Sequence, residues 1–464
     1  MTTTESFVHD NMEGDLSEIE IIASLSVLND IPTRWCRVKI EEICQNKKEG
    51  IDPQNFPEEV FEYYSIPAFQ EQNGPLRIEG KRILSAKLVV QNQTILFGKL
   101  NPRVLKVWLV DSDNENRKIA STEFIPLLPN EKAFPKFVYY LCQSKFVVPV
   151  AKKLVSGSTP SRQRVDITSF YKIPIPLPPL PEQHAIVDIL QTVQQAIQAR
   201  CKELELERER KAALIQYLFT HGTRNEPRKQ SEIGEIPMSW EICCIQNISE
   251  IAYGLTVNKA RSQSEQLVPY LAVMNVTRGA LRLEEVKFIG TLVGDSKRYR
   301  LQKGDVLLIE GNGNPALLGS AAVWNDELPF ALHQNHLIRV RPNSDFILSD
   351  WLMYYLNSDN GRAQLLGKAK TSSGLHSINS RVVANLQIPL PSLSEQATIT
   401  KTINACNAKI RALEKESTLH EELFLALLDE LMTGRISTLP LVEQLEKGIL
   451  IDGRRTGAGT NTAD

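Results

Sequence analysis

Residues 173–190 read IPIPLPPLPEQHAIVDIL, and a long segment that contains no proline or glycine follows them. Residues 387–403 read QIPLPSLSEQATITKTI and are followed by a segment of the same kind. Glu182 of the first stretch aligns with Glu395 of the second, at an offset of 213 residues. The chain therefore contains one unusual pattern twice.

Each copy predicts a long helix. Prolines hold the chain extended and are excluded from a helix interior, so helices are expected to begin near Pro181 and near Ser394 and to continue to Phe219 and Met432. Apolar residues recur at alternate spacings of three and four. The predicted seam positions are Ile186, Leu190, Val193, Ile197, Arg200, Leu204, Glu207, Lys211, Leu214 and Leu218 in the first helix, and Ile399, Ile403, Cys406, Ile410, Leu413, Ser417, His420, Phe424, Leu427 and Leu431 in the second.

A narrow apolar stripe requires a partner helix, and the second copy supplies one within the same chain. The sequence predicts an antiparallel intramolecular pair. Two ordinary surface helices on separate domains are the alternative, but about 38 residues make a rod of about 57 Å, which is long for a helix inside a domain. Polar seam residues such as Glu207 and Ser417 fix the register of such a pair at some cost in stability.

The duplication extends beyond the helices. Residues 31–44 and 236–249 share an opening in which Ile-Pro is followed three residues later by Trp, at Trp35 and Trp240. These tryptophans are expected to anchor the core rather than to stack on a ligand. Other matching segments are NQTILFGKLNP (92–102) with KGDVLLIEGNGNP (303–315), FPKFVYYLCQS (134–144) with LSDWLMYYLNS (348–358), and SGSTPSRQRV (156–165) with TSSGLHSINS (371–380).

Short β-branched runs broken by Gly, Pro, Asn and Asp indicate that the segments before the helices are mixed α/β domains. The predicted architecture is α/β: two α/β domains joined by two long helices that form an antiparallel coiled coil, with an internal pseudo-two-fold repeat. The predicted boundaries are an acidic extension at 1–30, a first domain at 31–172, a proline-led helix at 173–222, a second domain at 223–385, a second proline-led helix at 386–436 and a tail at 437–464.

Composition limits the function classes only weakly. The formal net charge is −2, but residues 1–30 hold seven acidic residues and no Lys or Arg, whereas residues 31–172 hold 22 basic against 15 acidic residues. This balance permits DNA binding without indicating it. Seven cysteines without paired CxxC spacing are expected to be free thiols, so no metal site is predicted. With no long apolar run and no signal-peptide pattern, the chain is expected to be cytoplasmic and not to bind a membrane.

The sequence lacks three common catalytic motifs. No GxxxxGK[ST] phosphate-binding loop occurs. The sequences at Asn101-Pro102-Arg103 and Asn314-Pro315-Ala316 lack the aromatic residue that adenine methyltransferases use to hold a flipped base. His333 and His336 have no HExxH or cysteine partner that would complete a metal site. The sequence therefore predicts that this chain neither hydrolyses ATP nor methylates adenine itself.

Taken together, the repeated IPxxW opening, the divergent domains, the Gly/Ser/Thr loops and the PLPPLPEQ and PLPSLSEQ segments resemble the specificity subunit of a Type I restriction-modification system. The resemblance covers about residues 31–435. In the first domain FGKLNPRVLKVWLV with IASTEF resembles one subclass of that family's target recognition domains. In the second domain GDVLLIEGNGNPALLG with HQNHLIRVRP resembles another, which implies two different DNA half-sites.

The resemblance implies a non-catalytic subunit whose two target recognition domains read the halves of an asymmetric, bipartite site on double-stranded DNA. It also implies that the paired helices set the spacing between the halves. The partners would be two modification (methyltransferase) subunits and two restriction (translocase and nuclease) subunits, in DNA methylation and phage defence. S-adenosylmethionine would be held by the modification subunits and ATP with Mg²⁺ by the restriction subunits, while this chain itself would bind no cofactor.

The candidate DNA-binding residues are polar groups in otherwise apolar strand and loop contexts. Asn and Gln can bond adenine bidentately, Arg can bond guanine, and Ser and Thr suit phosphates. Turn formation or a solvated charge is the alternative for each, and Gln334-Asn335 could instead form a buried hydrogen-bond network. The candidates are Lys99, Asn101, Arg103, Lys106, Ser158, Thr159, Arg162 and Arg164 in the first domain, and Asn312, Asn314, Gln334, Asn335, His336, Arg339, Ser373, His376, Asn379 and Arg381 in the second.

Two other functions remain open at the level of sequence. A coiled-coil adaptor that binds proteins would use the same helices as a spacer, and it predicts no salt-dependent DNA binding. A DNA-specificity module of another modification or phage-defence system would use the same domains with a different enzyme partner.

Overall fold

The structure is a computed structural model that describes residues 31–46, 49–71, 74–372 and 375–446. The predicted acidic extension lies outside the described residues, as does the part of the predicted tail that follows residue 446. The chain divides into two compact units, which are described separately. Among the described residues, unit 1 comprises 31–199 and 417–446, and unit 2 comprises 200–416.

The elements of the first domain belong to unit 1. Its helices are α1 (Ile40–Ile43), α2 (Ile66–Gln70), α3 (Pro135–Leu141), α4 (Val148–Lys153) and α5 (Ile167–Tyr171). Its strands are β1 (Cys36–Lys39), β2 (Cys44–Gln45), β3 (Gly50–Ile51), β4 (Val60–Tyr64), β5 (Leu76–Glu79), β6 (Lys87–Val90), β7 (Ile95–Gly98), β8 (Val107–Leu109), β9 (Lys118–Ala120), β10 (Phe124–Pro129), β11 (Val155–Ser156), β12 (Arg164–Val165) and β13 (Pro174–Leu177).

The two long helices are α6 (Leu180–His221) and α13 (Leu393–Met432). The second domain contains α7 (Ile245–Ile248), α8 (Lys259–Ser262), α9 (Asp295–Tyr299), α10 (Ser349–Asn357), α11 (Asp359–Gly367) and α12 (Ser380–Ala384), and α14 (Leu439–Glu446) follows the second long helix. The strands are β14 (Arg228–Ser231), β15 (Gly234–Pro237), β16 (Glu241–Cys244), β17 (Ser249–Tyr253), β18 (Leu267–Leu271), β19 (Val276–Thr277), β20 (Ala280–Leu281), β21 (Lys287–Gly290), β22 (Val306–Ile309), β23 (Gly311–Asn312), β24 (Ala321–Val323), β25 (Leu332–His333), β26 (Leu337–Pro342), β27 (Lys370–Ser372), β28 (Leu375–Ser377) and β29 (Gln387–Leu390).

Both domains are built on the same four-stranded sheet. The strand order is β2-β10-β7-β8 in the first domain and β17-β26-β22-β24 in the second. All neighbouring strands in the two sheets are antiparallel. The strands β7 and β22 are buried at every position, which fits their continuous apolar sequences. The predicted common frame and the matching helices α3 and α10 are therefore confirmed.

Each proline-led segment pairs with the strand that follows the IPxxW opening. β13 is antiparallel to β1, and β29 is antiparallel to β16, in two-stranded sheets. Proline cannot donate a ladder hydrogen bond, and a two-stranded sheet tolerates it because each strand is an edge. The repeated prolines thus lead the chain from a short strand directly into a long helix.

The Glu-Gln pair at the start of each long helix is buried and bonded to the domain before it. Glu182 is 3% exposed and accepts hydrogen bonds from Arg34 at 2.8 Å and from Trp35 Nε1 at 3.2 Å. Its counterpart Glu395 accepts from Trp240 Nε1 at 3.2 Å. The next residue, Gln183 in the first copy, accepts from the backbone N–H of Phe134 at 2.7 Å, and Gln396 accepts from Leu348 at 2.8 Å. The motif therefore fixes the start of each helix to its own domain.

The seam of the long helices follows the predicted heptad pattern, since every predicted seam residue is buried or half-buried. In unit 2 the ion pair Arg200–Glu416 measures 3.3 Å, and Arg210 donates to Cys406 Sγ at 3.8 Å. As numbering rises along α6 it falls along α13, so the helices are antiparallel there. In unit 1 the first turns of α6, at Ile186, join a cluster with the last turns of α13, which is the same antiparallel arrangement.

Each long helix is followed by a glycine near its C-terminal end. Gly222 and Gly434 both adopt left-handed conformations, with φ of +63° and +70°. A Cβ atom at Gly434 would lie 2.5 Å from the ring of Pro32, and one at Gly222 would lie 3.1 Å from the ring of Pro237. Glycine at these positions lets the end of each helix contact an Ile-Pro-x-x-Trp opening.

The domains differ in the strands outside the common sheet. The first domain carries a five-stranded sheet in the order β3-β6-β9-β4-β5, and the second carries the three-stranded sheets β21-β18-β25 and β23-β28-β27. No helix in the described part of the chain is both long and apolar enough to span a membrane.

Candidate nucleic-acid interface

In the first domain, two loops that are distant in sequence lie side by side. The backbone N–H of Asn101 donates to the carbonyl of Gln163 at 2.8 Å, and that of Val165 donates to the carbonyl of Lys99 at 3.0 Å. The segment 99–106 follows β7, and the segment 156–165 connects β11 to β12. The structure thus brings the two predicted groups of DNA-binding residues of this domain into one surface, which we call patch 1 (residues 99–106 and 156–165).

The side chains of patch 1 differ in exposure. Asn101 has a left-handed backbone with φ of 49°, which turns the 99–106 segment. Arg164 forms a forked ion pair with Glu123, with contacts of 3.0 and 3.1 Å, which orients its guanidinium. Lys106 is only 3% exposed. The predicted residues that are exposed are Arg103, Ser158, Thr159, Arg162 and Arg164, and those that are half-buried are Lys99 and Asn101.

In the second domain, three segments meet at the end of β22. Asn312 of β23 pairs with His376 of β28. The backbone N–H of Glu310 donates to the carbonyl of His336 at 3.0 Å, so the 334–336 segment lies beside them. We call this surface patch 2 (residues 310–320, 334–336 and 376–381).

Several residues of patch 2 also shape their own loops. Asn312 Oδ1 accepts from the N–H of Asn314 at 2.9 Å, and Asn314 Oδ1 accepts from Ala316 at 2.9 Å. Asn379 caps α12 by accepting from Val382. Turn formation is therefore one role of these three asparagines. The predicted residues that are exposed are Asn314, His336, Asn379 and Arg381, and those that are half-buried are Asn312, Gln334, Asn335 and His376, whereas Ser373 lies outside the described residues.

Arg339 has a different environment from the rest of the predicted set. It lies within β26, is 2% exposed, and donates to Glu250 Oε1 at 2.5 Å. Burial, followed by the neighbouring charge of Arg341, lowers its pKa. Its position inside the sheet argues against direct contact with DNA, and burial argues against direct contact for Lys106.

The two patches use one backbone frame with different charges. In patch 1 the N–H of Lys99 donates to the carbonyl of Glu123 at 2.9 Å, and the carbonyl of Lys99 accepts from Val165. In patch 2 Glu310 makes the same two bonds, to His336 and from Ile378 at 2.8 Å. Lys99 beside Glu123 in the first domain thus corresponds to Glu310 beside His336 in the second domain. Patch 1 presents amide, guanidinium and hydroxyl groups, and patch 2 presents amide, guanidinium and imidazole groups, which match base edges and phosphates.

The sequence did not reveal two arginines that support patch 2. Arg362 of α11 donates to the carbonyls of Leu318 at 3.1 Å and Ala316 at 3.0 Å. Arg278, between β19 and β20, donates to Ala316 at 3.1 Å. The sequence contains one signal for the role of Arg362. It lies three residues before Leu365, which is buried, so both side chains fall on one face of the helix.

His333, which directly precedes the predicted DNA-binding residue Gln334, belongs to the core. His333 is fully buried, and its Nδ1 lies 3.0 Å from the carbonyl of Tyr299. Burial lowers its pKa to about 4, so the imidazole is neutral near pH 7. Within the described ranges, no group of His, Cys, Asp and Glu side chains is arranged to hold a metal ion.

The chain is similar in sequence to specificity subunits of Type I restriction enzymes. A Type I restriction enzyme specificity subunit from Methanocaldococcus jannaschii, MjaVIII, is 29% identical over 411 residues, which cover 88% of this chain and 94% of that protein. The EcoKI specificity subunit from Escherichia coli is 25% identical over 299 residues, which cover 62% of this chain and 62% of that protein.

Solved structures support the fold. A chain from a study of complex assembly and conformational transition of the type I R-M system superposes with a TM-score of 0.60 at 22% identity, covering 87% of this chain and 98% of that chain. The S subunit of a Type I restriction-modification system from M. genitalium gives a TM-score of 0.50 at 16% identity, covering 87% and 96%. The model of the family described as Type I restriction modification DNA specificity domain matches residues 32–208 and 237–421. The two matched segments cover most of the chain, and the protein therefore belongs to the Type I restriction-modification DNA specificity family.

Proposed function

We propose that this chain is the DNA-recognition subunit of a Type I restriction-modification complex. Patch 1 reads one half of an asymmetric, bipartite site on double-stranded DNA, and patch 2 reads the other half. The residues proposed to contact DNA are the exposed and half-buried members of the predicted set. Membership of the specificity family and the exposed amide and guanidinium groups of the patches support this assignment.

One observation carries the proposal that the halves differ. Lys99 and Glu310 occupy the same position in the shared backbone frame, yet their charges are opposite. A cation favours phosphates and the acceptors of guanine, whereas a carboxylate can only accept, for example from the amino group of cytosine. Identical frames with opposite charges are suited to two different DNA sequences, and unsuited to a palindrome.

The long helices supply the remaining part of the proposed function. A continuous helix is stiff, so we propose that α6 and α13 set the distance between the half-sites. We further propose that two modification subunits and two restriction subunits assemble with this chain in the cytoplasm. On this proposal the chemistry belongs to those partners, which would carry S-adenosylmethionine, ATP and Mg²⁺, while this chain makes and breaks no bonds.

The test is to map methylated adenines in a host that carries this chain with its modification subunits. The expected result is a two-part motif with unequal halves and a fixed spacer. Replacing residues 223–385 with the second domain of a relative should then change one half only. A motif whose halves both change, or DNA without sequence-specific methylation, would contradict the proposal.

A further inference from the structure

A buried lysine organises the exposed loop of patch 1. Lys106 Nζ donates to the carbonyls of Val104 at 2.8 Å, Leu100 at 3.0 Å and Asn101 at 3.2 Å. An ammonium group has three N–H donors, so these bonds use all of them. In the part of the chain that the structure describes, no carboxylate lies within ion-pair distance of Lys106. The carbonyls of the loop are therefore its main electrostatic partners.

The backbone leaves room for this arrangement. A Cβ atom at Gly98 would lie 2.8 Å from Lys106 Cβ, so the absence of a side chain at Gly98 lets the lysine cross the end of β7. The backbone of Gly98 also donates to the carbonyl of Lys106 at 2.7 Å. The backbone carbonyl of Lys106 is thus bonded to Gly98, and its ammonium group is bonded to the carbonyls of the loop.

In patch 2 a buried arginine makes the corresponding bonds to loop carbonyls, although it comes from a different part of the fold. Arg362 is 8% exposed and donates to the carbonyls of Ala316 at 3.0 Å, Leu318 at 3.1 Å and Pro315 at 3.3 Å. Among the described residues it too has no carboxylate within ion-pair distance, and the carboxylate of Asp359 on the same helix attracts it from farther away. Lys106 follows its loop directly and precedes β8, whereas Arg362 is supplied by α11. Two different elements therefore bring an unpaired cation to the carbonyls of a patch loop.

Such cations are costly to bury. Charged side chains are rarely buried without an opposite charge, because desolvation disfavours the charged form. Burial lowers the pKa of Lys106, and burial together with the neighbouring Arg278 lowers the pKa of Arg362. An apolar residue would avoid this cost but would remove the cation's donors from the carbonyls of Leu100 and Val104 in the first loop, or of Pro315 and Leu318 in the second, and the loop would have to rearrange. The loop conformation therefore depends on the cation.

We propose that Lys106 and Arg362 are positioning residues for DNA recognition: each fixes one patch loop in the conformation that reads a half-site, without contacting DNA. The inference rests on the proposed function of the patches. The loop held by Lys106 carries Asn101 and Arg103, and the loop held by Arg362 follows Asn312 and Asn314. Each cation thus controls the specificity of its own half-site.

The experiment uses the full chain assembled with its modification subunits. The probes are a duplex that carries the motif found by methylation mapping, and two duplexes in which one half of the motif is scrambled. Lys106→Met should lower affinity for the full motif at least tenfold and abolish discrimination at the half read by the first domain, while discrimination at the other half is retained. Arg362→Met should give the mirror result. Arg362→Lys, which keeps the charge and three N–H donors, should recover part of the loss.

The salt dependence separates positioning from contact. The logarithm of the binding constant falls as the logarithm of the salt concentration rises, and loss of one phosphate contact makes this slope less steep by about 0.9. Lys106→Met should leave that slope unchanged, and the exposed Lys152→Met serves as a control that retains discrimination. A reduced slope for Lys106→Met would make Lys106 a phosphate contact and overturn the inference.

Two further outcomes would overturn it as well. If wild-type chain discriminates between the duplexes and both methionine variants do so equally well, the loops do not need these cations and only this inference fails. If wild-type chain binds all three duplexes alike, the proposed function itself fails. Hydrogen exchange of β7 and β10 checks folding of the first domain, and should Lys106→Met unfold it, the Arg362→Met and Arg362→Lys pair decides the question in the second domain.

Discussion

Replacing Glu182 with Gln tests the bonds that fix the first long helix to its domain. The carboxylate accepts two bonds of 2.8 Å from Arg34, one of 3.2 Å from Trp35 and one of 3.4 Å from Thr438. A glutamine side chain removes the negative charge. Its amide N–H groups would face the N–H and O–H donors of Arg34, Trp35 and Thr438. All four groups lie in unit 1, so the effect should be confined to that unit.

The magnitude follows from the exposure of the partners. Trp35 is 6% exposed, and leaving its N–H without an acceptor costs about 1–3 kcal/mol. The Arg34 side chain is 36% exposed, so water replaces part of its interaction and that ion pair contributes only about 1 kcal/mol. We therefore expect Glu182→Gln to lower the free energy of opening of unit 1 by about 3 kcal/mol, which is the sum of these two contributions.

The pH dependence has a defined sign. Burial alone would raise the pKa of Glu182, but the bonds from Arg34, Trp35 and Thr438 outweigh it and hold the pKa below its ordinary value. A carboxyl with a lowered folded-state pKa stabilises the fold above its unfolded pKa of about 4.3 and loses that contribution as pH falls through the folded value. The difference between wild type and variant should be constant near neutral pH and shrink below about pH 4.

The assay is hydrogen exchange of backbone amides in the first turns of α6, which reports the free energy of local opening. Glu395→Gln is the matched control, because Glu395 accepts from Thr223 and Trp240 in unit 2. It should destabilise the first turns of α13 and leave those of α6 unchanged. A loss below about 0.5 kcal/mol in unit 1 for Glu182→Gln, or an equal loss in both units, would refute the reasoning.

Three other changes test the patches, the helix ends and the spacer. Arg103→Ala and Gln334→Ala should each weaken binding to the mapped motif by about 1–3 kcal/mol if they contact bases, measured by titration; an equal loss on random DNA would reassign them to phosphates. Gly434→Ala should destabilise the chain in urea by about 2 kcal/mol, because the left-handed backbone disfavours a side chain and Cβ would meet the Pro32 ring; unchanged stability would refute this. Inserting seven residues into both long helices adds about 10 Å, so methylation mapping should show a spacer longer by about three base pairs, and an unchanged spacer would exclude a ruler.

The sequence determined the features that repeat locally. Heptad spacing gave the seam, including the polar position Glu207, because side-chain direction along a helix depends only on position in the chain. The offsets between copies gave the common sheet, since β7 and β22 keep the same apolar run. The prediction of Trp35 and Trp240 as core anchors is also confirmed, because both side chains are buried.

Only the tertiary structure decided which polar side chains face outward and which support the loops. Lys106 and Arg103 are three residues apart and both carry a positive charge, yet Lys106 is buried and Arg103 is exposed. Arg362 reaches the carbonyl of Ala316 across 46 residues, and Arg34 reaches Glu182 across 148. Such contacts depend on how remote segments pack together, and no local periodicity encodes them.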